Sequence, residues 1–338
     1  MPPVWMWAAM LLSMLLALLP GVQAGHPVWE NARFDSPDWI VRNPYIEGNN
    51  KLWPFKTIPV CFETRAVMHK YYISFHAAMD LWYAAGLPEA FMLFFPSDEA
   101  CQALPYETVL VRDVPTGNLM SAELGHPPII AGRTEHNFPA PGAPALYLAM
   151  PAIQPYDDFI ADLAHLLGHV FGLGHEHQDP KYARRLRVPR RTRSVFDFHC
   201  ANLPHYDEMQ VRFGGGEGVY GPVGVCVNFG AAVAAGFEAA QWLPYPPNTY
   251  VSSDDLMADP DLYSIMLYDT FRGGQDERPV LKLRDGDRNI DKNKVPSGKD
   301  VEGLVILYNF HGTQDRLPFF NDPESPYYGD WRQYADCM

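Results

Sequence analysis

The sequence predicts an α+β protein, and three observations carry that prediction. Runs of strand character occupy 57–62, 108–112 and 145–149. Two stretches repeat apolar residues at helical spacing: 71–85, with Phe75, Met79 and Trp82 on one face, and 159–171, with Leu163, Leu166, Leu167 and Val170. The 90 residues from 176 to 265 are broken by Gly and Pro, as a loop-rich region should be. The length of 338 residues suffices for one large domain or for two lobes around a cleft.

Taken from the start, residues 1–24 read as a signal peptide. An apolar run from about Trp5 to Leu19 meets a Pro-Gly break and then Val22, Gln23 and Ala24, a small-residue cleavage pattern. The run is short of the ~20 residues that a bilayer span takes, so a secreted protein free of the membrane after signal removal is expected, with a signal anchor as the alternative. Residues 25–51 form an N-terminal extension or pro-segment, and its Asp35, Asp38 and Glu47 are read as surface acids or, in a latent form, as contacts to a metal. The main domain spans 52–310. Its last helix begins near Ser297, a capping serine ahead of Val301, Leu304, Val305 and Tyr308, and 311–338 is a C-terminal tail.

The stretch His165-Leu-Leu-Gly-His169-Val-Phe-Gly-Leu-Gly-His175 carries the chemistry. Histidines four apart lie one helical turn apart on one face, so His165 and His169 can converge on one zinc ion. Asp157 and Asp158 supply the acidic start of that helix. Gly172 and Gly174 can take the φ > 0 conformations that end a helix and turn the chain back, which brings His175 in as third ligand.

These residues resemble the metzincin zinc peptidases, whose three-histidine motif is followed downstream by a methionine-containing turn; Ser264-Ile-Met266-Leu-Tyr268 matches that turn. Within that group the chain is most similar to the astacin family. Glu176 directly follows the third histidine, Tyr268 stands two residues after Met266, and the run from Leu52 to Phe62 is similar to the first strand of the family's mature domain. The likeness extends over about 52–308. It implies a zincin-like fold of two lobes: an upper one of twisted sheet and helices that includes the zinc-binding helix, and an irregular lower one with the Met-turn. It also implies one zinc ion, a peptide or protein in the cleft, Tyr268 as a movable fifth ligand or oxyanion stabiliser, and Glu176 as an anchor for the mature N-terminal region.

The departures bear on activity. The family carries Glu immediately after the first histidine, where this chain has Leu166; Asp179 stands at an arginine position and Leu267 at a histidine position. That glutamate is the general base, and a positioned base is worth ~10²–10⁴ in rate. Asp162 shares the face of Leu166 but sits one turn away, about 5.4 Å along the axis and too far for a direct hydrogen bond to the same water. The resemblance therefore implies a zinc-binding homologue with endopeptidase activity lost or very weak. The alternatives are an active metalloendopeptidase with an unusual base and a non-enzymatic interaction protein with structural zinc.

Five cysteines fit an oxidising, extracellular compartment. The expected pairs are Cys61 with Cys101 and Cys200 with Cys226, leaving Cys337; pairing of Cys337 with Cys61 or Cys101 stays open, since spacing alone does not fix connectivity. A formal net charge of −14 favours solubility and argues against general nucleic-acid binding. Seven of the 26 Lys and Arg crowd into 181–193. That run reads as a solvated loop, with an acidic-partner patch or processing at Arg184-Arg185 or Arg190-Arg191 as alternatives. Oligomeric state is not written in the sequence.

Overall fold

A computed structural model describes residues 24–25, 52–103, 105, 107–114, 120–122, 144–150, 156–179, 182, 195–245 and 260–310. The expectations for residues 1–23, 26–51, the basic run apart from Tyr182, Cys337 and the tail 311–338 lie outside the described residues.

Six strands form one mixed sheet: β1 (Ala24–Gly25), β2 (Thr57–Phe62), β3 (Met92–Phe94), β4 (Val109–Asp113), β5 (Met120–Ala122) and β6 (Ala145–Leu148), in the order β1-β5-β6-β4-β2-β3. β2 runs parallel to β3 and β4, β4 parallel to β6, and β5 antiparallel to β6 and parallel to β1. β2, flanked by β4 and the edge strand β3, buries its four middle residues whichever face they take, the pattern of a strand covered on both sides. Ile58 and Val60 enter the main core, while Cys61 meets Cys101 and Leu110 in a separate small cluster. Cys101 lies on helix α2 (Asp98–Ala103), and its disulfide to Cys61 is formed as expected.

Helix α1 (Arg65–Ala84) begins six residues earlier than the apolar repeat suggests. The reason is local: the Thr64 hydroxyl accepts the Val67 amide at 3.2 Å, and Val67 extends the buried stripe through Tyr71, Phe75, Met79 and Trp82. Its partner is helix α3 (Tyr156–Phe171), in which every residue from Phe159 to Phe171 is buried. Trp82 Nε1 donates to the Ala164 carbonyl at 3.0 Å and locks the two together.

Helix α3 ends at Gly172, which takes φ +113° while the Leu173 amide reaches back to the Gly168 carbonyl at 2.9 Å. The left-handed residue is thus Gly172 and not Gly174. The carbonyls that any helix leaves unpaired at its C-terminus find donors here: Trp53 Nε1 on Val170 at 2.8 Å, and the Tyr308 hydroxyl on Phe171 at 3.0 Å. Tyr308 belongs to the last helix, α7 (Gly298–Phe310), which starts after Ser297 as expected.

After the third histidine the architecture changes. A two-stranded antiparallel ribbon, β7 (Phe196–Phe198) with β8 (Leu281–Leu283), packs with three short helices, α4 (Tyr206–Arg212), α5 (Gly216–Tyr220) and α6 (Phe229–Ala235). These helices of five to seven residues stand where the sequence suggested loops, because elements so short show no full apolar period. They enclose a second core with Phe196, Leu203, Phe229, Phe237, Trp242 and Tyr245. The Cys200–Cys226 disulfide, also as expected, closes this region. The two cores meet at the Met-turn: Ile265 and Met266 belong to the first, Leu267 and Tyr268 to the second.

Candidate metal centre

His165 and His169 come from α3 and His175 from the segment after the Gly172 turn; one ring nitrogen of each lies within 4.8 Å of the others. All three side chains are buried. The close approach of α3 to the Met-turn depends on Gly168, where a Cβ would stand 2.5 Å from Met266 Sδ.

Hydrogen bonding sets the tautomers. His165 Nδ1 donates to the Ile265 carbonyl at 2.7 Å and His169 Nδ1 to the Leu173 carbonyl at 2.8 Å, since a carbonyl can only accept. The amide nitrogen of Gln178 donates to the Ala240 and Leu243 carbonyls, which turns its Oε1 toward His175 Nδ1 at 2.8 Å. Every Nδ1 therefore carries the proton, and every Nε2 offers a bare lone pair. Burial, first of all, also lowers each of the three imidazoles' pKa, to about 4 for His169 and well below the usual range for His165 and His175, so the rings are neutral at neutral pH.

Two of those lone pairs, His169 Nε2 and His175 Nε2, stand 3.0 Å apart, and His165 Nε2 is buried with no hydrogen-bond partner. Two acceptors at that distance repel unless an electrophile lies between them. Nitrogens that share one tetrahedral zinc at 2.0–2.1 Å are about 3.3 Å apart, so this donor set fits the ion. The three histidines form a site that could hold one zinc ion.

Around the triad, Tyr268 places its ring 4.1 Å from that of His175 and 5.7 Å from that of His165, and its hydroxyl donates to Gln241 Oε1 at 3.2 Å. Leu166 is fully buried in the first core, and Leu267 in the second. Asp162 is buried between two cations, Arg272 Nη1 at 3.2 Å and Lys292 Nζ at 3.1 Å. Glu176 accepts the Asp261 amide at 2.9 Å and the Tyr182 hydroxyl. A small recess of about 20 Å³, room for about one water, is lined by His165, Asp162, Tyr268, Arg272 and Lys292; of the triad only His165 borders it.

Sequence reasoning missed several neighbours. His177 is buried, with Nε2 donating to the Gln241 carbonyl at 2.8 Å, and its ring is 5.2 Å from that of His175. Gln178, which orients His175, has no sequence signature of its own. Asp300 does: Ser297 and Asp300 form a capping box, with the Asp300 amide on Ser297 Oγ at 3.0 Å and the Ser297 amide on Asp300 Oδ2 at 2.8 Å. Burial pushes the Asp300 carboxyl up to about 6 against the hydrogen bonds that pull it down.

No protein-family model matches the chain, and no curated protein matches it in sequence. Among solved structures it is similar to high choriolytic enzyme 1, a hatching enzyme zinc-protease from Oryzias latipes (medaka fish). That likeness has 14% identity, covers 75% of this chain and 89% of that one, and has a TM-score of 0.43. Two structures of myroilysin are also similar. One has 15% identity over 76% of this chain and 95% of that one, with a TM-score of 0.40; the other has 14% identity over 77% and 86%, with a TM-score of 0.38.

Proposed function

We propose that this chain is a secreted, zinc-binding relative of the astacin-type peptidases that holds peptides in a cleft beside the metal and has lost efficient peptide-bond hydrolysis. The observation that carries the metal is the pair of unprotonated Nε2 atoms of His169 and His175 at 3.0 Å, with all three Nδ1 protons committed elsewhere. Zinc held by His165, His169 and His175 would supply Lewis-acid polarisation of a carbonyl and activation of water. Among the described residues, the positions that could carry a proton there are apolar or already engaged. Leu166, at the position of the family's general base, is packed in the first core and cannot accept a proton. Asp162 is neutralised by Arg272 and Lys292, and Glu176 is occupied by the Asp261 amide and Tyr182.

Secretion is supported by the two disulfides and the apolar leader. Among the described residues no helix is long and apolar enough to cross a membrane. A peptide beside the metal is argued from the likeness of His165–His175 and Ser264–Tyr268 to the peptidase motifs, and the small recess bordered by His165 and Tyr268 marks the side from which it would approach.

The test joins metal analysis to a peptidase assay on protein from a secretory host. One zinc per chain with very slow or undetectable digestion of casein-like substrates is expected, and Leu166→Glu should raise the rate by ~10²-fold or more. Efficient, chelator-sensitive hydrolysis by the wild type would show another base at work. A folded, zinc-loaded Leu166→Glu protein without activity would show that more than the base is missing.

A further inference from the structure

A continuous line of hydrogen bonds runs from the candidate metal site to a buried carboxylate more than a hundred residues away. His165 Nδ1 donates to the Ile265 carbonyl at 2.7 Å. The nitrogen of that same peptide group, Met266 N, donates to Ser264 Oγ at 2.9 Å, and Ser264 Oγ donates to Asp300 Oδ1 at 2.6 Å. The other oxygen of Asp300 takes the Ile265 and Ser297 amides at 2.9 and 2.8 Å. Each donor in the line points the same way, so the carboxylate's charge polarises the serine, the serine the peptide, and the peptide the imidazole.

We infer that Asp300, acting through Ser264 and the Ile265–Met266 peptide, is a positioning residue for His165 that fixes its ring and raises the basicity of the nitrogen it turns to the metal. This rests on the zinc reading above and deepens it. A helix-capping role explains only the Ser297 bonds; it does not explain why the same carboxylate accepts the hydroxyl and amide of the Met-turn. Partners beyond the ligand typically change metal affinity 10–100-fold.

The test separates the two roles, because Ser264→Ala cuts the line and leaves the capping box, whereas Ser297→Ala does the reverse. On the full secreted chain, zinc affinity is measured by competition with a chromophoric chelator, the visible spectrum is recorded with cobalt(II), and Tm is followed on the metal-free protein. Ser264→Ala should bind zinc about 10-fold more weakly and shift the cobalt bands, and Ser264→Thr should restore both. Ser297→Ala should lower Tm with affinity unchanged. If Ser264→Ala does not fold, Asp300→Asn, which keeps size and an acceptor, reads the same loss. A folded Ser264→Ala protein with wild-type affinity and spectrum, or losses of affinity that merely follow Tm in both variants, would overturn the inference while leaving the zinc site standing. A wild type that takes up no zinc would overturn the metal reading first and this inference with it.

Discussion

The two cores bury similar side chains on different backbones. The first is built on a six-stranded sheet with α1 and α3 across it, so most of its peptide groups are paired by regular ladders and helical turns. The second has a two-stranded ribbon and helices of at most seven residues, and side-chain amides take over part of that work. Asn202 Nδ2 donates to the Pro279 carbonyl at 2.7 Å, Asn293 Nδ2 to Leu262 and Ser264 at 2.9 Å, and Gln178 Nε2 to Ala240 and Leu243. A buried peptide group must be paired wherever it lies, and an irregular chain meets that demand with polar residues at single positions. Along the sheet and its helices, a substitution should therefore act mainly through volume; in the second core, it should act mainly through lost hydrogen bonds or covalent links.

Loss of a metal ligand, where α3 meets the segment that leads into the second core, gives the largest expected effect. His169→Ala should weaken zinc binding ~10²-fold or more, beyond the 10–100-fold that partners outside the coordination sphere are worth. It should also cut the zinc-dependent rise in stability, about 4 kcal/mol at free zinc a thousandfold above the wild-type Kd, to about 1.4 kcal/mol or less. Elemental analysis and paired melting curves check this; a full zinc complement in the variant would mean that other ligands hold the ion.

Next is Asp162, on α3, whose carboxylate meets Arg272 and Lys292 from beyond the Met-turn. Asp162→Ala leaves Arg272, whose side chain is 10% exposed, without its carboxylate, and should cost about 3–5 kcal/mol in denaturant unfolding. A cost under about 1 kcal/mol, the range of surface ion pairs, would mean that water reaches those cations freely.

The disulfides sharpen the contrast between the cores. The Cys61–Cys101 and Cys200–Cys226 bridges join residues 40 and 26 apart, so loop entropy alone predicts stabilisations within about 0.4 kcal/mol of each other, each about 2–4 kcal/mol. Replacing both Cys200 and Cys226 with Ala should also speed amide exchange across 195–245 while the sheet stays protected, because the second core has few ladders to fall back on. Uniform loss of protection would show that the two cores unfold as one.

Gly168→Ala should have the smallest effect. Ala is the better helix former by about 1 kcal/mol, but its Cβ would meet Met266 Sδ at 2.5 Å. Overpacking of about 1–3 kcal/mol should outweigh the propensity, so a lower Tm is expected, and a higher one would show that the methionine can swing aside.

Local pattern by itself determined the strands at β2, β4 and β6, the cores of α1 and α3, the serine that starts α7, and the three histidines. These are features of period or spacing, and a helix imposes its period on any sequence that folds into it. Both disulfide pairs were also proposed from the sequence, although spacing could not exclude others. The start of α1 was missed because the cap at Thr64 precedes the apolar repeat, and the lower helices because they are too short to repeat at all.

The tertiary structure decided which nitrogen each histidine turns inward, because the acceptors of their Nδ1 protons include Ile265, 100 residues from His165. It also decided that Asp162 is neutralised by Arg272, 110 residues away, and that Asp300 lies beneath the Met-turn. None of these partners is set by helical or strand period. Each depends on two distant segments being held within about 3 Å, a distance that only the packing of the two cores on each other imposes.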